Sequence, residues 1–343
     1  MGAMNLLVHL ARLLNVVPVP LLDTQSQMLR ARAVIEANRL GVFETLAAAP
    51  QGLTADEVAH ELNISPAGSL VLLTALAGVG YLRQRRGRFV NGRWVKHWLL
   101  NPRYSLKNFL LVQSHSWQRL NDLGAVIESG RPVRDYYHDP AITPAESETF
   151  SEAMRDLSRL LLPEFLKRAR LPAGARRLLD IGGGHGDYGR ALARRHPGLA
   201  PTVLDLEHQI RAAQRAVEAK GDPLDVEFRV GDALTADLGT DWDVLLMVNL
   251  VHIFSPDQNG ALFRRAREAL RPGGVLLIVD QLLGVSRTRD GVAALISLNM
   301  FSIGGRCYRW QELERLLREA GFRHVRLKPF SVTVASSLVE AWT

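Results

Sequence analysis

The 343-residue chain contains one cysteine, and it has no run of the roughly 20 apolar residues that a membrane-spanning helix needs. A single cysteine excludes an internal disulfide and a cysteine-rich zinc site, and it is typical of a reducing compartment. Residues 1–20 are apolar but are interrupted by His9 and Arg12, and no basic region precedes them, so we do not interpret them as a signal peptide. These absences predict a cytoplasmic protein that has no membrane partner.

Acidic residues are missing from one long segment. Between Leu62 and Asn121 there is no Asp or Glu, while Lys and Arg contribute nine positive charges to a chain whose net charge is +7. Such a block is compatible with a nucleic-acid or acidic partner, and also with a solvated basic hairpin. The local pattern favours the hairpin.

This amino-terminal region has the pattern of a winged helix. Helical spacing covers residues 30–46, a capping box at Thr54 and Glu57 precedes a short helix, and Pro66 begins a third helix. A β-hairpin with its turn at residues 86–87 follows. The third helix is almost wholly apolar, whereas reading DNA bases requires Arg, Lys, Asn or Gln. We therefore expect this helix to be buried, at a subunit interface, and we do not expect nucleic acid as a partner.

The carboxy-terminal half has a different pattern. Two longer helices, over residues 106–129 and 148–170, precede the break at residues 172–174. Apolar strands then alternate regularly with helices, which predicts an α/β fold with a Rossmann-like, doubly wound sheet. Seven strands are expected, over residues 177–181, 202–206, 226–230, 243–249, 275–280, 324–328 and 331–341.

Glycines and acids cluster at the predicted strand ends, where such sheets bind their ligands. The residues 182–186 read Gly-Gly-Gly-His-Gly, which permits a tight turn and a close approach of the backbone to a ligand. Gly184, Gly186 and Gly189 satisfy the dinucleotide fingerprint, and Asp205 lies about 20 residues further on. An NAD-dependent enzyme is therefore one alternative.

Four spaced signals together resemble class I S-adenosylmethionine (SAM)-dependent methyltransferases. They are the segment from Asp180 to Gly186, Asp205 at the end of the second strand, Gly231-Asp232 after the third, and residues 272–274 before the fifth. Their order is more specific than one glycine loop, and we favour this reading over the NAD enzyme.

A closer resemblance extends over almost the whole chain. Residues 150–158 are similar to the F-x-x-G/A-M-x-x-x-S segment of plant caffeic-acid-type and bacterial antibiotic-pathway O-methyltransferases, and residues 251–257 resemble their L/C-H-D-W-x-D/P-E segment. The resemblance implies a homodimer formed by a mainly α-helical, winged-helix dimerisation domain. It implies three parts: that domain at 1–105, connecting helices that line the substrate pocket at 106–172, and a SAM-binding catalytic domain at 173–343.

The resemblance also implies roles for individual residues. Asp205 binds the ribose hydroxyls, Asp232 the adenine amino group, and Ala233 packs beside the ring. His252 is the general base that faces the acceptor hydroxyl, and Asp280 holds it. The resemblance further implies that SAM is the cofactor and S-adenosylhomocysteine (SAH) the product, and no metal is expected. Twelve residues are expected at the cofactor: Ser158, Asp180, Gly182, Gly183, Gly184, Gly186, Asp205, Leu206, Gly231, Asp232, Ala233 and Asn249. Five are candidates for the acceptor: His115, Trp117, Met154, Met300 and Cys307.

Two departures from the family pattern affect the chemistry. Cys307 stands where a second carboxylate usually holds the histidine, and Ile253 replaces the Asp that usually follows it. We predict a SAM-dependent methyltransferase that acts on a hydroxyl of a small aromatic or polyketide-like molecule in specialised metabolism. C- or N-methylation, and a relative that has become a decarboxylase, hydroxylase or pericyclase, remain alternatives, as does a DNA-binding regulator that uses the basic hairpin.

Overall fold

The computed structural model describes residues 18–133, 142–220, 226–331 and 335–343, except for the side chains at 217–220 and 288. The chain divides into two compact units, with the boundary between Ser114 and His115. No helix within these described ranges is long and apolar enough to cross a lipid bilayer.

The first unit begins with short helices. The single helix predicted over residues 30–46 is wrong, because Gly41 has a φ of 80° and separates two helices. Its backbone N–H donates to the carbonyl groups of Ala37 and Asn38, which ends the first of them. After helical turns at Val19–Leu21 and Leu22–Ser26, the helices are α1 (Gln27–Leu40), α2 (Val42–Ala48), α3 (Ala55–Leu62), α4 (Pro66–Gly78) and α5 (Arg93–Trp98).

The predicted capping box and hairpin are both present. The Thr54 hydroxyl accepts from the backbone N–H of Glu57, whose carboxylate accepts in return from the N–H of Thr54. Strands β1 (Leu82–Arg85) and β2 (Arg88–Asn91) pair antiparallel. Their two-residue turn at 86–87 has positive φ at both positions, as a type I′ turn requires.

Helix α4 is buried on one face only. Leu73 and Leu76 belong to the core of the first unit, whereas Leu70 and Val71 are 51% and 70% exposed. The core of the first unit thus buries one face of this helix, and burial of the other face at a subunit interface stays a prediction.

The connecting helices differ from the expected bounds. The stretch predicted as one helix over 106–129 forms α6 (Lys107–Leu120) and α7 (Leu123–Ser129), and the unit boundary falls inside α6. Helix α8 (Pro144–Arg168) begins four residues earlier than predicted, because Thr143 caps it and Pro144 occupies its first turn.

The second unit contains the predicted sheet. Its strands are β3 (Arg177–Ile181), β4 (Ala200–Asp205), β5 (Glu227–Val230), β6 (Trp242–Val248), β7 (Leu270–Leu283), β8 (Tyr308–Arg309), β9 (His324–Pro329) and β10 (Ser336–Trp342). Their order is β5-β4-β3-β6-β7-β10-β9, with β3 to β7 parallel and β10 antiparallel to both of its neighbours. Strand β8 was not predicted and pairs with the end of β7.

Strand order reverses between β3 and β6, which is where a doubly wound sheet leaves a crevice at the carboxyl ends of its strands. The central strands carry apolar side chains that are buried on both faces, such as those of Leu178, Leu179 and Val244. The helices of this unit after α8 are α9 (Asp187–Arg195), α10 (Glu207–Lys220), α11 (Pro256–Ala269), α12 (Arg287–Phe301) and α13 (Trp310–Glu319).

Candidate active site

A cavity of about 680 Å³ lies at the strand ends of the second unit. Helix α8 and the segments that follow β3, β4, β5 and β6 line it. Twelve of the residues predicted for the site are among its lining: Met154, Ser158, Asp180, Gly182, Gly183, Gly184, Asp205, Leu206, Gly231, Asp232, Ala233 and Asn249.

The glycine loop, residues 182–186, turns sharply after β3. Gly182, Gly184 and Gly186 have φ values of 69°, 52° and 72°, which side-chain-bearing residues rarely adopt. Gly183 lies directly against the carboxyl group of Asp180, and a Cβ there would overlap that carboxyl group. Gly186 lies outside the cavity lining and caps α9 instead, so its role is in the shape of the loop.

Asp205 ties this loop to the end of β4. Its Oδ2 accepts from the backbone N–H of Gly184 at 2.8 Å, and its Oδ1 accepts from the N–H of Leu206 at 2.7 Å. Desolvation raises the pKa of this carboxyl to about 6, against the effect of both backbone donors. The remaining lone pairs are available to hydroxyl donors of a ligand.

Asp180 is a buried acid in the wall of the same cavity. It is 1% exposed, and its Oδ1 has no hydrogen-bond partner. Desolvation, followed by the nearby charges of Asp205 and Asp187, raises the pKa of Asp180 to about 7. Two desolvated carboxyl groups beside a glycine turn fit a cationic nucleoside such as SAM, whose charge compensates theirs.

The loop after β5 is held from behind by Arg265. The guanidinium of this α11 residue donates to the carbonyl groups of Ala233 and Leu234, at 2.9 and 2.6 Å. Asp232 closes the turn by accepting from the N–H of Leu234 at 2.7 Å. Arg265 is distant in sequence from the loop, so spacing did not identify it as a supporting residue.

His252 follows β6 in a single 3₁₀ turn and is bonded to Asp280 of β7. The distance from His252 Nδ1 to Asp280 Oδ1 is 2.6 Å, and the backbone N–H of His252 donates to Asp280 Oδ2 at 3.2 Å. This pairing places the proton on Nδ1 and leaves Nε2 as an acceptor. His252 is 7% exposed and lies beside the lining residues Ile253 and Phe254 rather than in the lining itself.

The segment that carries Cys307 packs against the histidine turn. The N–H of Arg306 donates to the carbonyl oxygen of His252 at 2.7 Å, and the Tyr308 hydroxyl donates to that of Phe254 at 2.7 Å. Cys307 is 1% exposed, and burial, followed by the charge of Asp280, raises the pKa of its thiol to about 12. The thiol therefore stays neutral and supplies no second negative charge to His252.

Four of the five acceptor candidates, His115, Trp117, Met300 and Cys307, are absent from the cavity lining among the described residues; only Met154 contributes to it. Met154 was identified by its position in a family motif. For an aromatic or sulfur-containing side chain on an amphipathic helix, the sequence does not distinguish a residue that lines a cavity from one that packs in the core.

Several lining residues were not predicted as site residues. On α8, Ser151 and Arg155 join Met154 and Ser158 on one helical face, a spacing that could have identified them. His185 of the glycine loop lies within 3.2 Å of Ser151 Oγ, and burial lowers its pKa. The others include Arg131, Pro132, Phe254, Ile303 and Gly304.

Two family models match this chain. An O-methyltransferase domain matches residues 129–323, and an O-methyltransferase dimerisation domain matches residues 23–100. The chain belongs to the O-methyltransferase family. Its members take the methyl group from SAM, so this protein is a SAM-dependent O-methyltransferase, and the NAD enzyme is ruled out.

Curated relatives and solved structures agree with this O-methyltransferase assignment. The chain is 29% identical over 328 residues to a 3-hydroxy-5-methyl-1-naphthoate 3-O-methyltransferase of Streptomyces sahachiroi, with 94% of both chains covered. It is 26% identical to an L-tyrosine C(3)-methyltransferase of Streptomyces lavendulae, over 83% of this chain and 81% of that one. Human N-acetylserotonin methyltransferase in complex with SAM has the same fold, with a TM-score of 0.85, 23% identity and 97% of both chains covered.

The raised pKa of Asp180 predicts that replacing this residue stabilises the ligand-free protein but weakens its binding of SAM. Because the pKa of Asp180 is raised from 3.8 to about 7, the folded protein loses stability as the pH rises from about 4 to 7, and the full cost persists above pH 7. Asp180→Asn should therefore raise the thermal midpoint of the ligand-free protein by a few degrees at pH 8, and the gain should vanish near pH 4. The same variant should bind SAM about 10–100-fold more weakly at pH 8, measured by calorimetry.

Asp243 provides the control. Burial tends to raise its pKa, but the backbone N–H groups of Arg176 and Arg177, with Arg271, hold it below its usual range. Asp243→Asn should destabilise the protein at pH 8 and leave SAM affinity unchanged. Wild-type SAM affinity should fall between pH 8 and pH 6 as Asp180 takes up a proton, and a flat profile would refute the assignment of Asp180.

Proposed function

We propose that this O-methyltransferase methylates a hydroxyl group of a small aromatic or polyketide-like molecule in specialised metabolism, as a homodimer. The bond between His252 and Asp280 carries this proposal, since it prepares an imidazole acceptor beside the apolar lining residues Ile253 and Phe254. The naphthoate methyltransferase among the relatives supports the class of acceptor.

The residues that we propose to bind SAM lie at or just after the carboxyl ends of the strands. Asp205 and the glycine loop are proposed to hold the ribose and methionine parts of SAM, with Asp180 as the buried counter-charge. Asp232 and Ala233 are proposed to bind the adenine, and Leu206, Gly231 and Asn249 complete this wall. Bound there, SAM supplies an electrophilic methyl group on a sulfonium.

The residues of the chain then position the acceptor and remove its proton. His252 Nε2 takes the hydroxyl proton while Asp280 keeps the proton on Nδ1 and stabilises the imidazolium. The acceptor hydroxyl must reach the small exposed edge of the His252 ring. Met154 and Ser158 of α8 also line the cavity, which supports residues 106–172 as the segment that shapes the pocket.

Transfer to a carbon atom beside a hydroxyl is the second candidate. The L-tyrosine C(3)-methyltransferase relative favours it, and so does the neutral Cys307 in place of a second carboxylate. The position of the methyl group in the isolated product, determined by NMR, separates the two reactions.

Removing the imidazole of His252 should slow methyl transfer without weakening the binding of SAM. We expect His252→Ala to lower kcat by about 10²–10⁴-fold, because general-base catalysis contributes that much to such steps. Asp280→Asn should give a smaller loss and shift the pH profile of kcat. Steady-state kinetics and SAM calorimetry measure both effects. His196→Ala, at an exposed helix end, is the control, and an unchanged kcat in His252→Ala would refute the base role.

The exposed apolar surface of the first unit supports the homodimer. Leu29, Leu70 and Val71 are each more than half exposed in the single chain, within the part that matches the dimerisation domain. Large exposed apolar side chains in one region are typical of an interface.

A charge on that surface should separate the subunits. We expect Val71→Glu to convert the dimer to a monomer in light scattering after size-exclusion chromatography, since a carboxylate would be buried without a partner. Arg85→Glu, on the exposed β1 strand, changes charge in the same unit and should leave the dimer intact. A Val71→Glu protein that remains dimeric would show that the interface lies elsewhere.

A further inference from the structure

The cavity lining combines acidic and apolar residues. Carboxyl groups are contributed by Asp180, Asp205 and Asp232. Apolar side chains also line it, among them Phe150, Met154, Ile253, Phe254 and Ile303. An acceptor that packs on these apolar side chains needs a specific partner for any charged group that it carries.

One arginine lines the cavity without an ion pair to any residue that the structure describes. Arg155 Nη1 lies 3.4 Å from Glu152 Oε1, and Arg155 Nε lies 3.6 Å from Asp187 Oδ2. These two carboxylates compensate its charge. Arg131 also lines the cavity, but no carboxylate of the described residues pairs with it. Arg131 is exposed to solvent and also lines the cavity, so it lies where the cavity opens.

Contacts along the chain place Arg131 on the side of His252. Its neighbour Pro132 lies against Gly304, where an added Cβ would approach the proline ring to 3.2 Å. Gly305 in turn packs on the carbonyl oxygen of His252, and Arg306 donates to that same oxygen. The chain at Arg131 therefore reaches the cavity next to the segment that packs on the His252 turn.

We propose that Arg131 binds a carboxylate on the acceptor, so that the preferred substrates are hydroxylated aromatic acids. The proposal rests on the function proposed above and adds an acidic group to its substrate class. A guanidinium matches a carboxylate with two parallel N–H donors, which orients a flat molecule as well as binding it. With the acid fixed at the opening, the ring extends along the apolar wall towards His252.

Matched acceptor pairs test this selection. Hydroxynaphthoic acids and their carboxamides, and the corresponding benzoic pair, have the same shape and differ in charge. We expect the SAH-loaded wild-type protein to bind the acids about 10–100-fold more tightly than the amides, as for a charge-assisted hydrogen bond. In Arg131→Gln this ratio should fall to near one, whereas Arg131→Lys should keep part of it. Raising the ionic strength should reduce the ratio in the wild type, since the arginine is exposed.

Four results would overturn the proposal, three of which concern the acceptor. These three are equal binding of acids and amides by the wild type, a preference that survives Arg131→Gln, and no binding of any acid. A loss of SAM affinity in Arg131→Gln would also overturn it, because the arginine would then hold the carboxylate of the cofactor. Arg194→Gln, an exposed arginine of α9 outside the cavity lining, is the control for surface charge. The proposed function is tested separately by methyl transfer, and it can stand when the preference for acids fails.

Discussion

The carboxyl group of Asp205 connects the parallel sheet to the glycine loop, and the proposed cofactor site depends on that connection. One carboxyl oxygen holds the N–H of Gly184 and the other holds that of Leu206, so the end of β4 sets the position of the turn after β3. The turn in turn places Gly183 against Asp180. The hydrogen bonds of Asp205 therefore fix both the backbone of the glycine loop and the position of that loop against the buried carboxyl group of Asp180.

Much of this second unit could be predicted from sequence. Parallel strands that are buried on both faces read as short apolar runs, and their carboxyl ends meet at one edge, so the residues that follow each run lie close together. Asp180, Asp205 and Asp232 were found in this way, and all three line the cavity. The capping box at Thr54 is equally local, because two side chains three residues apart satisfy each other.

Features that depend on distant contacts were not predictable in the same way. The break at Gly41 is local instead, and it was missed because the helical apolar pattern continues on both sides of this left-handed glycine. The approach of Pro132 to Gly304 depends on packing between segments far apart in sequence. For this reason His115, Trp117 and Met300 were plausible acceptor contacts, while Arg131 was not recognised.

The desolvated carboxyl groups of Asp180 and Asp205 also bear on how the enzyme exchanges its ligands. Methyl transfer converts a sulfonium into a neutral thioether, so the bound nucleoside loses the positive charge that these acids attract. The attraction that these two acids exert on the bound nucleoside is therefore weaker for the product than for the methyl donor. Because the pKa of Asp180 lies near 7 in the ligand-free protein, a proton from solvent can neutralise it between turnovers. The two acids therefore favour binding of the cationic methyl donor more than they oppose release of the product, whose sulfur is neutral.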